Sequence, residues 1–260
     1  MNETSIKYLD NGIYEIFDKE SYREYLYFCV QFKNYMTKNI ILIYIQNPLA
    51  TQVAGEKVWQ RKYNRQLKPN AESITLLLPA LEEETFKFKE VNGYDISQTT
   101  GPDILNERHI YKAKRVILSA IREVSNCNIV LKDRVSDTVL KRGSNGYYVP
   151  SRNQMVLAKS LDEEDHTKAL LRNFAKSMCE LENTPNDNLV IESVSFMLAL
   201  YFGLPCAAWE FNFIDAWANK KETELLEILE LTNASFGKLV NLLEPIVLRK
   251  ETVKEVDFDV

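Results

Sequence analysis

The sequence predicts an α+β protein in two parts: a small N-terminal α+β domain over residues 1–101, then a mainly helical domain with a short sheet over 102–260. Three observations predict it. Apolar residues recur at three- and four-residue steps over 22–35 and again in four long segments after Leu161, the spacing of helix faces that pack inward. Between these, 74–78 and 86–91 are rich in β-branched and aromatic residues and are bounded by turn formers. Finally, Thr99-Thr100-Gly101-Pro102 joins breakers to a change from strand-like to helix-like periodicity, which marks a linker.

In chain order, Asp18 or Ser21 caps a helix whose inward residues are Tyr22, Tyr25, Leu26, Cys29, Phe32 and Tyr35. Residues 38–46 are apolar on most sides, bracketed by Asn39 and Gln46 and stopped at Asn47-Pro48, which suits a short buried helix, with a strand as the alternative. Three strands follow, 74–78, 86–91 and 94–98, with Pro79 and Glu82-Glu83-Glu84 in the first turn and Asn92-Gly93 in the second. After the linker, 110–124 is helical, and 129–131, 147–149 and 155–157 are short strands joined by polar turns such as Ser144-Asn145-Gly146. Helices are then expected over 161–181, 189–202, 209–219 and 222–243, with Gly203-Leu204-Pro205 stopping the second. Residues 250–260 are charged and expected to fray or to lie along the surface. No internal repeat is visible.

Composition excludes several classes. The 45% apolar and 27% charged content, with eight Gly and eight Pro in 260 residues, rules out collagen-like, low-complexity and wholly disordered chains. The first ten residues lack an apolar signal core, and the longest apolar runs, 40–45 and 196–202, are too short to span a bilayer, so a cytoplasmic protein without membrane contact is expected. Cys29, Cys127, Cys179 and Cys206 form no Cys-x-x-Cys pair and read as buried thiols. The two histidines, His109 and His166, have no second histidine or cysteine at metal spacing, and Glu163, Glu164 and Asp165 beside His166 suit a helix N-terminus. No serine nucleophile motif, phosphate loop or dinucleotide fingerprint is present, so neither a metal nor another cofactor is expected.

A net charge of −5 argues against indiscriminate nucleic-acid binding by the whole surface. The segment 33–68 is the local exception: Lys33, Lys38, Lys57, Arg61, Lys62, Arg65 and Lys68 stand against the single acid Glu56. Tyr35, Tyr44, Trp59 and Tyr63 are interleaved with those cations, the mixture of phosphate-pairing and base-stacking groups used by single-strand binders. The same composition also describes a solvated face over core aromatics. On the first reading, Lys38, Lys57, Arg61, Lys62, Arg65 and Lys68 pair with phosphates while Trp59 and Tyr63 stack on bases, Trp59 being equally suited to anchor a core.

Lys38-Asn39, Gln46-Asn47-Pro48-Leu49-Ala50-Thr51, Val53-Ala54-Gly55, Trp59, Arg65 and the run from Tyr94-Asp95-Ile96 through Ser97-Gln98-Thr99-Thr100-Gly101 form a long pattern. Through these residues the stretch 10–101 resembles the N-terminal single-stranded-DNA-binding domain of ArdC-type antirestriction proteins. The glycine-rich turn usual after the arginine is replaced by Leu67-Lys68-Pro69-Asn70-Ala71, where Asn70 alone can partly stand in for glycine at positive φ. Further on, Gly146-Tyr147-Tyr148, Met155-Val156-Leu157, Leu170-Leu171, Glu192-Ser193-Val194, Phe202-Gly203-Leu204 and Trp217 resemble the metallopeptidase domain of the ImmA/IrrE kind that follows in those proteins, which implies that the mainly helical second domain with its short sheet is zincin-like.

That family's zinc helix reads His-Glu-x-x-His directly after the paired leucines, placing two imidazoles on one face and a glutamate as general base. Here those places hold Arg172, Asn173 and Lys176, and only Glu192, at the position of the third ligand, remains. A guanidinium and an ammonium offer zinc no lone pair, and Asn173 cannot take up and return a proton. No catalytic residue follows, and these four are vestigial positions. Glu192 is expected to pair with Arg172, Lys176 or both; alternatively Arg172 and Lys176 lie on the solvent face of an ordinary helix.

The resemblance implies a protein of a phage, plasmid or conjugative element that binds single-stranded DNA and acts in antirestriction or anti-defence as a pseudo-metallopeptidase. Two other classes stay open. The inactive cleft could hold a host defence nuclease or repressor as an inhibitor or decoy, or an unusual ligand set drawn from Cys179, Glu180 and Glu192 could keep a peptidase alive.

Overall fold

The computed structural model describes residues 3–17, 19–82, 85–104, 114–179, 185–207, 209–211, 214–217 and 220–256. The chain forms two compact units, one of residues 1–108 with 211–227, the other of 109–210 with 228–260. Asp18 and the 105–113 segment containing His109 lie outside the described residues.

In the first unit, helices α1 (Glu3–Ile16), α2 (Lys19–Gln31) and α3 (Thr37–Gln46) bury Leu9, Ile13, Ile16, Tyr22, Tyr25, Leu26 and the 40–43 run. α1 is absent from the sequence reading although Leu9, Ile13 and Ile16 have helical spacing. Gly12 lets it approach α3, since a Cβ there would lie 1.7 Å from Ile45 Cδ1. The 38–46 segment is helical, as its length and flanks suggest, and its two bracketing amides face a strand. Asn39 donates to Leu77 O at 2.9 Å and accepts from Leu77 N at 2.7 Å; Gln46 donates to Thr75 O at 3.1 Å and accepts from Thr75 N at 2.9 Å.

That strand is β3 (Ile74–Glu82), which with β1 (Val53–Ala54) and β4 (Thr85–Asp95) forms an antiparallel sheet in the order β1-β4-β3. β3 and β4 are longer than the sequence suggests. Pro79 sits inside β3 opposite Phe88, not in a turn, because β3 is an edge strand and residues of its parity direct their amide positions away from β4. Asn92-Gly93 is likewise inside β4, paired with Thr75 and Ile74; a Cβ on Gly93 would meet Leu76 Cδ1 at 2.6 Å and Val53 Cγ1 at 2.8 Å. The expected third strand is the end of β4, with Ile96–Gln98 a 3₁₀ turn. Helix α4 (Glu56–Tyr63) ends on Asn64 in the left-handed region, and β2 (Gln66–Leu67) pairs with β5 (Thr99–Thr100). Asn70 adopts φ +61°, the conformation for which it was the available glycine substitute.

In the second unit, α5 (Lys114–Ser125) precedes a sheet in the order β6-β8-β7, with β6 (Asn128–Lys132) parallel and β7 (Gly146–Val149) antiparallel to β8 (Gln154–Ala158). Helix α6 (Glu163–Met178) is capped by Asp162, whose carboxylate accepts from Asp165 N at 2.8 Å. It packs against α7 (Pro185–Tyr201), which stops where Gly203 takes φ +65°. Within 209–219, where a helix is expected, Ile214–Trp217 is a 3₁₀ turn that belongs to the first unit, and 212–213 and 218–219 lie outside the described residues. The last helix, α8 (Glu222–Val256), continues through Pro245, so residues 250–256 are helical; Arg249 and Lys250 pair with Glu123 of α5 at 2.6 and 2.9 Å. No described helix is long and apolar enough to cross a membrane.

Candidate functional site

Two arrangements carry the residues singled out by the sequence, one in each unit. In the first, α4 is fixed from its inner side. Trp59 is fully buried, donates Nε1–H to Tyr94 O at 2.9 Å and lies 5.2 Å from the Tyr63 ring. Arg65 is buried with its guanidinium shared among neutral acceptors: Nε donates to Thr99 Oγ1 at 2.6 Å, Nη2 to Thr99 O at 3.0 Å, and Nη1 to Gly101 O at 3.1 Å and to Pro102 O. The stretch read as a linker is therefore clamped. Gly101, at φ +148°, permits the clamp, since a Cβ would lie 2.7 Å from Asn64 O. Close by, Asp95 accepts from the Thr51 and Gln52 amides and from Ser97 N; burial alone would raise its pKa, but these bonds outweigh it and hold the carboxyl below its usual range.

Trp59 and Arg65 are thus parts of the framework, with no face turned to a base or a phosphate. Tyr35 donates to Val53 O and Tyr44 packs edge-on against Tyr25 and Phe28, so both aromatics serve packing. The cations that remain on the surface are Lys57, Arg61, Lys62 and Lys68. Lys57 and Arg61 are one turn apart on α4, and Lys62 Nζ stands 5.2 Å from the centre of the half-buried Tyr63 ring. Lys68 Nζ donates to Ser97 O at 2.8 Å, and Lys38, half-buried, lies over the Phe88 ring at 5.1 Å.

In the second unit, α6 and β7 enclose a cavity of about 350 Å³. Lys168, Arg172 and Lys176 line it from three successive turns of α6, and 146–148 of β7 form the facing wall. Gly146 allows this approach: a Cβ there would lie 3.0 Å from Asn173 Nδ2. Arg172 Nε reaches Glu192 Oε1 of α7 at 2.7 Å, the pair expected from the sequence. The N–H is not aligned on the oxygen, so this is an ion pair without a hydrogen bond, and Glu192 Oε2 is buried with no hydrogen-bond partner among the described residues. Burial raises the Glu192 pKa, with Arg172 and Lys168 opposing in part. Asn173 is buried and donates to Ala169 O at 2.7 Å, within its own helix, while Lys176 is exposed on the cavity side.

These side chains do not suit a divalent cation. Arg172 and Lys176, which the resemblance sets where imidazoles would stand, are cations without a lone pair, and the nearby carboxylate, Glu192, is paired with Arg172. Among the described residues no three His, Cys, Asp or Glu side chains gather at metal distance. Glu180 lies outside the described residues, and burial pushes the half-buried Cys179 thiol up in pKa, away from the thiolate a metal needs. Of the other cysteines only Cys29 is buried; Cys127 and Cys206 are half-buried. Sequence reading missed Lys168, although it stands four residues before Arg172. It also missed Asp137, which accepts from the Tyr147 hydroxyl at 2.6 Å and from Lys132 at 3.0 Å.

No family model matches the sequence, and no curated protein does. Among solved structures, the fold is similar to that of the antirestriction protein ArdC from plasmid R388. In its Mn(II)-bound form the TM-score is 0.56 at 14% identity, over 85% of this chain and 98% of that one. In its metal-free form the TM-score is 0.52 at 12% identity, over 83% of this chain and 86% of that one. The chain has the ArdC-type α+β fold.

Proposed function

We propose that this chain is an antirestriction protein of a mobile DNA element, that it binds single-stranded DNA through α4, and that its second unit performs no peptidase chemistry. The observation that carries the binding reading is the exposed cations Lys57, Arg61 and Lys62 beside the half-buried Tyr63 ring, on a helix whose inner face is pinned by Trp59. Phosphates pair with the three cations while a base lies on Tyr63, and Lys38 and Lys68 flank the track. Such binding tolerates any sequence, because the cations meet the backbone and every base has a π-face. The fold it shares with a plasmid antirestriction protein supports the mobile-element role, and a cytoplasmic location follows from that role.

Loss of peptidase chemistry rests on the Arg172–Glu192 pair, which occupies the one carboxylate retained from the zinc motif. A protein partner, such as a defence nuclease or repressor, is the second reading, favoured by the net charge of −5, which weakens attraction to nucleic acid at long range.

Fluorescence anisotropy of a labelled single-stranded oligonucleotide across a salt series tests the first part. Three phosphate contacts give a slope of log affinity on log salt of about −2, and Arg61→Ala with Lys62→Ala removes about 1.4 of it. Absence of binding near physiological salt, or an unchanged slope in the double variant, would refute it. For the second part, thermal unfolding with added Zn(II) or EDTA is expected to give an unchanged Tm. Zinc stabilisation abolished by Glu192→Ala would restore the peptidase reading.

A further inference from the structure

The cavity of the second unit differs in charge from everything around a metal site, and that difference suggests what it takes. Lys168, Arg172 and Lys176 stand at i, i+4 and i+8 on α6, steps of about 6 Å along the axis. All three line the same cavity. Asp165 is the acid that shares the lining, and Glu192 draws on Arg172 from behind, so the lining keeps a positive excess. The Lys168 ammonium also lies 5.3 Å from the centre of the Trp209 ring. Arg172 exposes 43% of its side chain even while paired, leaving donors of its five-donor fork for a second oxygen ligand.

We infer that this cavity is a binding site for a phosphate monoester carried on a nucleoside. A phosphate monoester brings a charge near −2 and three terminal oxygens, enough to engage a lining with three cations, whereas a lone carboxylate has two oxygens and one charge. The volume of about 350 Å³ lies in the small-ligand range and exceeds what a bare inorganic anion fills. β7 supplies the rest. Side chains alternate along a strand, so Tyr148 shares the α6-facing side with Gly146, while Tyr147 points to the opposite face, where it packs against Leu140, Val156 and Ala158. Tyr148 therefore offers its ring to a base, with Ser144, Asn145 and Asn188 as polar groups at the rim. This inference concerns the second unit alone and stands apart from the α4 surface.

Isothermal titration calorimetry on the full chain carrying Arg61→Ala and Lys62→Ala, which weakens the first-unit surface, provides the test with dTMP, thymidine and inorganic phosphate as probes. dTMP is expected to bind, thymidine at least about tenfold more weakly, and Lys176→Glu, at an exposed position, is expected to weaken dTMP by about tenfold or more. Tyr148→Ala should weaken dTMP while leaving inorganic phosphate unchanged. Equal affinity for thymidine and dTMP, no effect of Lys176→Glu, or no saturable heat at millimolar dTMP would overturn the assignment. Oligothymidylates with and without a 5′-phosphate identify the source: a gain from the phosphate assigns the pocket to a strand end, and equal binding with dTMP still bound assigns it to the free nucleotide.

Discussion

Arg65 in the first unit and Arg172 in the second both fall within family-like motifs, yet their surroundings differ in kind. Arg65 is buried without an acid and is satisfied by Thr99 Oγ1 and the carbonyls of Thr99, Gly101 and Pro102. Arg172 is half-open, faces a cavity and is neutralised by a buried carboxylate whose second oxygen has no hydrogen-bond partner among the described residues. A guanidinium satisfied by neutral backbone acceptors on every side is a fastening, with no valence left for a ligand. One balanced by a single carboxylate, with donors remaining on the cavity side, is placed to bind.

The largest effect expected from this contrast is that of Arg65→Ala. It strips several buried acceptors of their donor and should cost about 3 kcal/mol or more in urea denaturation. Arg65→Lys should not restore this, because an ammonium cannot span the fork of acceptors. Arg172→Ala should cost less, about 1–3 kcal/mol, between the values for surface and buried pairs, since half of the side chain meets solvent. An Arg172→Ala loss as large as that of Arg65→Ala would break the comparison.

The pH dependence sharpens it. Burial raises the Glu192 pKa above the ordinary 4.5 despite Arg172 and Lys168, so the protonated form is favoured on folding. The stability this contributes is fully present below 4.5 and is lost as the pH rises through the folded pKa. Asp137 behaves oppositely: the Tyr147 hydroxyl above all, then Lys132 and the Leu140 and Val139 amides, hold it below 3.8 against burial, so its contribution is present above that value and is lost on acidification. Unfolding measured across pH should show Glu192→Gln flattening the falling limb towards neutrality and Asp137→Asn flattening the acid limb. A Glu192→Gln curve parallel to the parent's would place that carboxylate in a solvated setting.

Smaller effects test the first unit's other neutral fastenings. Asn39→Ala leaves Leu77 N and O without partners and should cost about 1–3 kcal/mol. Asn70→Gly removes an asparagine at φ +61° and should alter stability by less than about 1 kcal/mol, in the stabilising direction unless the added freedom of the unfolded chain offsets it.

How much of this was legible in the sequence depends on whether the signal was local. Residues 38–46, with amides at both ends, were readable as a buried helix because length and flanks agreed, although a strand ran parallel as an option. The Arg172–Glu192 pair was readable through the resemblance, which sets Arg172, Lys176 and Glu192 where zinc ligands would stand, and it left Arg172, Lys176 or both as the partner of Glu192; the structure shows Arg172. Pro79 and Asn92-Gly93 misled because their turn chemistry was overridden by pairing partners far along the chain, at an edge where a proline costs no ladder bond. Trp59 and Arg65 looked like ligand-contacting groups since nothing in a sequence distinguishes a cation facing solvent from one surrounded by carbonyls. Lys168 went unnoticed because a lysine in an amphipathic helix carries no signal until the opposite wall, here β7, is in place.

The two amides of α3 have one more consequence. β3 is a nine-residue edge with Leu78 half-exposed, the kind of strand onto which another chain can add itself. Asn39 and Gln46 already occupy the outward groups of Thr75 and Leu77, and Pro79, next in the same row, has no N–H to offer. The side chains of a neighbouring helix thus act as a permanent counterfeit strand, and this stretch of the edge is closed to a further strand by saturation rather than by charge. A chain lacking Asn39 should reveal this as concentration-dependent sedimentation before it reveals it as unfolding.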